Sequence, residues 1–415
     1  MKTKAFPEAN LPDEIQIKAD RMNLDEASVP PFEVLPLPFT PDMSAAEKHH
    51  AAQNMLATFS KEFYGEIPPR CQQLEVRETA NGTAFNGLAI RRELDIICSS
   101  NGISKTLHLL LYLPAKHRGK VPCFLGMNFL GNIATTFDPQ VTFHPFTAYP
   151  DPSPWLDDNR LQNDKERGKK AHRWEFEKVI KAGFASATLA FGDVFPDHPD
   201  GFSDSIMTLF YTADEYHDHR RSGAISAWAW GLMRALDALE TIPEIDKNKF
   251  IVHGLSRMGK TALWAGANDP RIAMTVSFNS GTAGAKMSRR YFGESMEWLD
   301  NWRKYWFAPG FERFCGKDTQ MPFDQHQLMA LIAPRKLYVA SAVDDPYADP
   351  KGEFLATRAA AGAWETDGIP PDTPMPDAGS GAGENSVRYF IRSGIHDCTP
   401  ENWDDLLKFA AKHFL

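Results

Sequence analysis

The spacing of apolar and polar positions changes character partway along the chain. Residues 1 to about 45 are rich in proline and acidic side chains and read as an extended lead-in. Ala45 to Phe63 has the spacing of a helix. From Leu74 to Pro114 short strand-like runs follow, among them Leu74-Glu75-Val76-Arg77 and Thr106 to Leu113, and Asn81-Gly82 and Asn101-Gly102 are the turn signals between such runs. This is the pattern of an antiparallel meander. Beyond it, apolar runs of strand length alternate with loops and helices. The runs are Val121–Phe129, Ala185–Phe191, Lys249–Gly254, Ile272–Phe278, Lys336–Ala340 and Val387–Ile391. Ala224 to Leu239 repeats with helical period, placing Trp228, Leu232, Ala235 and Leu236 on one face, and Pro400 to Leu415 reads as a closing amphipathic helix. Alternating strands and helices imply a parallel sheet covered on both faces. With the meander in front, the expected fold class is α/β, with a mixed, mostly parallel sheet between layers of helices.

The alternation predicts one catalytic domain over 46–415. Two stretches, about 132–172 and 284–330, are too long for plain connections and are rich in Trp, Phe, Pro and charge. Ordered insertions near the carboxyl ends of strands usually shape a substrate site. A third stretch, Gly368 to Glu384, reads as a flexible surface loop because of its proline and glycine content.

Composition narrows the possibilities. A hydrophobic fraction of 43% and a charged fraction of 24% are ordinary for a soluble globular protein of 415 residues. The net charge of -9, with no Lys/Arg cluster, argues against a nucleic-acid partner. No apolar run approaches the roughly 18 residues needed to cross a bilayer, so no membrane role is expected. Met1-Lys2-Thr3-Lys4-Ala5-Phe6 lacks the apolar core of a signal peptide. The five cysteines include no C-x-x-C pair, which speaks against a zinc site or a disulfide framework.

The chemistry centres on Gly254-Leu255-Ser256-Arg257-Met258-Gly259-Lys260. Strand, tight turn with Ser256 at its tip, then helix is the arrangement of a nucleophile elbow, which lifts a hydroxyl clear of its neighbours. The common pattern is G-x-S-x-G; here Met258 occupies the second glycine's place and Gly259 follows one residue late. The hexamer alone also describes an ordinary helix N-cap serine. The rest of the chain decides between them. A serine nucleophile needs a base, and the base an orienting acid, which in α/β-hydrolases follow in the order Ser, acid, His. After the run ending at Ala340 comes Ser341-Ala342-Val343-Asp344-Asp345-Pro346-Tyr347-Ala348-Asp349-Pro350. After the run ending at Ile391 comes Arg392-Ser393-Gly394-Ile395-His396-Asp397. A loop histidine is most often a surface residue, but His396 stands between the last strand and the last helix, where the base belongs.

Gly-Leu-Ser-Arg-Met-Gly-Lys resembles the G-C-S-R-x-G-K signature of the glucuronoyl esterases, carbohydrate esterase family 15. Similar likeness is carried by Asn128-Phe129-Leu130-Gly131-Asn132, Arg173-Trp174, Gly192-Asp193, Trp228-Ala229-Trp230-Gly231, Tyr347-Ala348-Asp349-Pro350 with Gly352, and the His396 segment. The resemblance spans about Val121 to Leu415 and implies an α/β-hydrolase fold, a metal-free serine esterase and no cofactor. By alignment it makes Asp345 the acid, with Asp344 the alternate. It implies that Lys260 and Glu294 contact sugar hydroxyls and that Tyr347, where the family usually has Trp, packs on the sugar. Arg257 would hold the oxyanion; the residues themselves suggest as much, since a cation in the first turn of a buried helix opposes the helix dipole.

Two departures stand out. Many family members carry a glutamate in a segment like N-E-S-G after the next strand, where this chain reads Phe278-Asn279-Ser280-Gly281. An amide cannot carry that charge, so the acid must come from the later loop. Leu255 also replaces a cysteine that fungal relatives bond to one beside the histidine, which removes that bond.

The expected activity is hydrolysis of esters of glucuronic or 4-O-methylglucuronic acid, such as those linking glucuronoxylan to lignin alcohols, by a monomer that family resemblance makes secreted or periplasmic. The competing readings are an acetyl xylan esterase on the same fold and a non-catalytic carbohydrate-binding hydrolase homologue.

Overall fold

The computed structural model describes residues 22–145, 164–219 and 222–415. Its strands are β1 (Gln73–Ala84), β2 (Ala89–Ser100), β3 (Ile103–Pro114), β4 (Val121–Asn128), β5 (Ala185–Ala190), β6 (Ile245–Leu255), β7 (Ile272–Phe278), β8 (Lys336–Ala342), β9 (Ser380–Ala382) and β10 (Val387–Arg392). The α-helices are α1 (Ala45–Phe59), α2 (Phe176–Lys181), α3 (Ala213–His219), α4 (Ala224–Leu239), α5 (Arg257–Asn268), α6 (Met296–Arg303), α7 (Gln325–Ala330), α8 (Pro350–Ala360) and α9 (Pro400–Phe414). None of these helices is long and apolar enough to cross a membrane. Two compact units are recognisable. One comprises Met1–Gly65, Gly254–Asn268 and Thr275–Asp397; the other comprises Glu66–His253, Asp269–Met274 and Cys398–Leu415.

In the second of these units β1, β2 and β3 pair antiparallel, with Leu74 opposite Cys98 and Leu94 opposite Leu109. β3 then pairs antiparallel with β5, and β4 lies parallel between β5 and β6, with Leu125 opposite both Ala187 and Val252. Burial follows the pairing. β2 alternates between buried and half-buried positions along most of its length, whereas every residue of β4 and β5 is buried. A strand covered on both faces needs no polar positions, which is why β4 and β5 read as unbroken apolar runs. The helix α4 is buried nearly all round rather than on one face, as expected for a helix of the interior. Within this core the His253 ring lies edge-on to Trp174 and Trp403, each 5.2 Å away. Burial pushes His253 down to about 3, so this histidine is a neutral core residue.

One turn expectation fails here. β1 runs straight through Asn81-Gly82, which pair with Arg92 and Arg91. The hairpin closes instead at Phe85-Asn86-Gly87, where Asn86 (φ 55°) and Gly87 (φ 82°) adopt the left-handed conformation that Asn-Gly favours. Asn101 (φ 54°) and Gly102 (φ 78°) do turn. Both dipeptides suit a turn, and cross-strand pairing selects between them.

In the other unit β8 and β10 pair in parallel, with Val339 opposite Tyr389, and β9 adds antiparallel to β10. The stretch Gly368 to Glu384, expected as a flexible loop, therefore contains an edge strand. Its glycines make this possible: a Cβ on Gly381 would stand 2.6 Å from the Tyr389 carbonyl, and one on Gly383 2.2 Å from that of Val387. The stretch 284–330 is ordered as helices and short turns. Its Phe307 and Phe311 rings stack at 3.9 Å, and Phe311 and Phe323 pack on Phe63 just beyond α1. The buried Tyr64 hydroxyl donates to the Ala283 carbonyl or Gln325 Oε1, both at 3.0 Å. Of the stretch 132–172, residues 146–163 lie outside the described residues.

Candidate active site

All the side chains singled out above for catalysis or sugar contact lie in the first-named unit. Ser256, between β6 and α5, has φ 58°, a conformation that a non-glycine residue keeps only when its surroundings enforce it. Here the enforcement is visible. The Ser256 N–H donates to the Phe278 carbonyl at 2.9 Å, and the Ser256 carbonyl accepts from the N–H groups of Gly259 and Lys260 at 2.8 and 3.2 Å. A Cβ on Gly254 would lie 2.0 Å from the Met258 carbonyl oxygen; one on Gly259 would lie 2.9 Å from both Ser277 Oγ and Ser280 Cβ. The backbone of α5 thus packs closely at position 259, as it does again at Gly266 against Thr275. The second glycine stands where the helix touches its neighbour, and Met258 is simply buried beside it.

Asp345 and His396 meet. The Asp345 Oδ2 is 2.6 Å from His396 Nδ1 and also accepts from Asn279 Nδ2 at 2.9 Å, while Oδ1 accepts from the Ala348 N–H at 3.4 Å. Burial raises the Asp345 pKa, but the His396 charge, its hydrogen bond and that of Asn279 outweigh burial and hold the carboxyl below its ordinary value. Asp344 is exposed, and its backbone N–H is bonded to the Gly394 carbonyl at 3.0 Å. Of the two neighbouring aspartates, Asp345 is the one whose carboxylate faces the imidazole. Asn279, the amide at the position where the resemblance led to an expected glutamate, sits at φ 45° and is 1% exposed.

Lys260 is 3% exposed, and its ammonium donates to the carbonyls of Ser280 and Thr282, the latter at 2.7 Å. Burial lowers its pKa to about 8, against the opposing charges of Glu294 and Glu353. Two of its three donors are therefore spent on the 280–282 backbone, leaving one for a ligand. A second buried lysine that sequence reading missed, Lys286, donates to Thr282 Oγ1 at 2.8 Å and to the Glu294 carbonyl at 2.6 Å. Glu294 and Tyr347 come together because the chain passes closely at Gly293 (φ 69°), where a Cβ would be 2.4 Å from the Tyr347 carbonyl. The Glu294 N–H donates to that carbonyl at 3.0 Å. Burial raises the Glu294 pKa, partly offset by Lys260 and His396.

Arg257 is buried, its guanidinium 5.7 Å from the centre of the Trp306 ring, which Arg303 also approaches at 5.6 Å. Trp306 comes from the insertion 284–330 and carries no local signal of its role; only the fold brings it to Arg257. The arrangement fixes the direction of a cation that flexes freely in water.

A family model described as glucuronyl esterase, fungi, matches residues 176–368. A carbohydrate esterase of an unknown prokaryotic organism is 35% identical over 402 residues, covering 94% of this chain and 92% of that protein. A 4-O-methyl-glucuronoyl methylesterase of Schizophyllum commune is 34% identical over 193 residues, which are 44% of this chain and 49% of the fungal one. Among solved structures, the glucuronoyl esterase from Solibacter usitatus matches with a TM-score of 0.84 at 36% identity, over 94% of this chain and 100% of that one. The mixed, mostly parallel sheet with its helices is accordingly the α/β-hydrolase fold. By this likeness over nearly its whole length, the chain belongs to carbohydrate esterase family 15, the glucuronoyl esterases.

Proposed function

We propose that the chain hydrolyses esters of glucuronic and 4-O-methylglucuronic acid through an acyl-enzyme on Ser256. The observation that carries the mechanism is the short contact between Asp345 and His396, joined to the left-handed backbone of Ser256. With Nδ1 engaged by Asp345, proton exchange falls to Nε2 of His396. Nε2 takes the Ser256 proton as Oγ attacks the uronoyl C6 carbonyl, then returns it to the departing alcohol. Water repeats the sequence and frees the acid. Negative charge develops on the carbonyl oxygen in both halves, and Arg257 is the cation assigned to it. Lys260, Glu294 and Tyr347 are assigned to the uronate ring, which puts the sugar on the acyl side of the ester. The ester linking glucuronoxylan to lignin alcohols has that arrangement.

The test compares hydrolysis of benzyl glucuronate with that of acetylated xylose, using the parental enzyme and Ser256→Ala. Turnover of the uronate ester that vanishes in Ser256→Ala is the expected result. Preference for the acetylated sugar would reverse the acyl assignment, and residual near-parental rates in Ser256→Ala would remove the nucleophile.

A further inference from the structure

The segment 279–282 carries Asn279, which donates to Asp345, and the two carbonyls that hold Lys260. It is a strained turn, with Asn279 at φ 45° and Gly281 at φ 58°. Something must fix it, and the structure shows one anchor from α8. The Glu353 side chain is fully buried and gathers four donors. Its Oε1 accepts from the backbone N–H groups of Ser280 and Gly281 at 2.8 and 2.9 Å and from Ser280 Oγ at 3.3 Å. Its Oε2 accepts from Ser341 Oγ at 2.5 Å, so the same carboxyl ties the turn to the end of β8, just ahead of Asp345.

We infer that Glu353 is a positioning residue for catalysis, setting the 279–282 turn so that Asn279 meets Asp345 and the Ser280 and Thr282 carbonyls meet Lys260. The bonds of Glu353 run to the turn and to Ser341, so it acts through the turn. The inference rests on the assignment of Asp345 and Lys260 made above. Burial pushes the Glu353 carboxyl up to about 7 in spite of its donors. What matters is its reach and hydrogen bonds. Glutamine keeps both: its oxygen accepts from the two amides and its nitrogen donates to Ser341 Oγ. Aspartate keeps the carboxyl but is one methylene short.

The experiment measures kcat and KM on benzyl glucuronate for Glu353→Gln, Glu353→Asp and Glu353→Ala, each also combined with Asn279→Ala, beside their thermal unfolding. Glu353→Gln is expected within about threefold of the parent. Glu353→Asp should lower kcat roughly tenfold or more and raise KM severalfold, the two effects reporting Asn279 and Lys260 respectively. In the double variants the kcat loss should fall short of the product of the single losses, because both changes break one linkage. Should Glu353→Ala fail to fold, the Gln and Asp variants carry the test. A lowered unfolding temperature with kcat and KM unchanged, or losses that multiply fully with Asn279→Ala, would overturn the inference and leave Glu353 a packing residue. Asp345→Asn is measured in parallel: near-parental activity there would refute the catalytic assignment instead.

Discussion

Asp345→Asn is the sharpest probe of the proposed mechanism, because it changes one atom at a fully engaged carboxylate. In the parent, Oδ2 accepts from both His396 and Asn279, and Oδ1 accepts from the Ala348 amide. An amide in this place cannot satisfy all three. With its oxygen toward His396 and Asn279, its NH2 confronts the Ala348 N–H; reversed, its NH2 confronts two donors and imposes the wrong imidazole tautomer. The first orientation costs less, so the base keeps its proton arrangement and loses chiefly the charge. A carboxylate and an imidazolium ~4 Å apart at an effective dielectric of ~20 attract by about 4 kcal/mol. That is about 10³ in rate. The unsatisfied donor adds to it, and a total of about 10³–10⁴ agrees with removal of a sole triad acid. The assay is steady-state hydrolysis of benzyl glucuronate, with circular dichroism to confirm folding. A loss below tenfold, or a larger loss for the exposed Asp344→Asn, would refute the reasoning.

Three further outcomes are expected. Arg257→Gln should lower kcat by about 10²–10³ with KM little changed, since the charge is needed only as the oxyanion forms; a change confined to KM would make Arg257 a substrate-binding residue. KM should rise above pH 8 as Lys260 loses its proton, and Lys260→Met should flatten that rise. Because the folded value lies below that of an unfolded lysine, the folded state binds fewer protons between about 8 and 10.4, so this group's contribution to stability increases with pH there while its contribution to binding declines; a KM flat from pH 7 to 10 would contradict the assignment. Gly259→Ala should destabilise by about 1–3 kcal/mol through overpacking against Ser277 and Ser280, read as a lower midpoint in urea, and an unchanged midpoint would mean that the contact relaxes freely.

The sequence exposed those features that local chemistry determines. Buried strands such as β4 and β5 announce themselves as unbroken apolar runs, and α4 begins and ends where its period does. The order of Ser256, Asp345 and His396 is readable because each follows a recognisable strand. Choosing Asp345 over Asp344 took the resemblance, and its geometric reason is the loop's direction, which exposes one carboxylate and buries the next. Glu353, Lys286 and Trp306 stayed hidden for a common reason. A glutamate in a helix and a lysine or tryptophan in an insertion are ordinary residues until folding places them against a turn or a cation. Asn81-Gly82 shows the opposite failure: a sound local signal overruled by strand pairing.

The Glu353 anchor has a consequence for the ageing of the protein. An asparagine followed by serine is prone to deamidation, in which the backbone nitrogen of the following residue attacks the asparagine side chain and an acidic residue results. At Asn279 that nitrogen belongs to Ser280, and its N–H is held by Glu353 Oε1 at 2.8 Å. With its N–H committed to that bond, the nitrogen is less free to attack, so the amide at 279 is protected chemically. Prolonged warm storage should leave the mass of the peptide containing Asn279 unchanged in the parent and raise it by about one mass unit in Glu353→Ala, turning a neutral partner of Asp345 into a second carboxylate beside the imidazole.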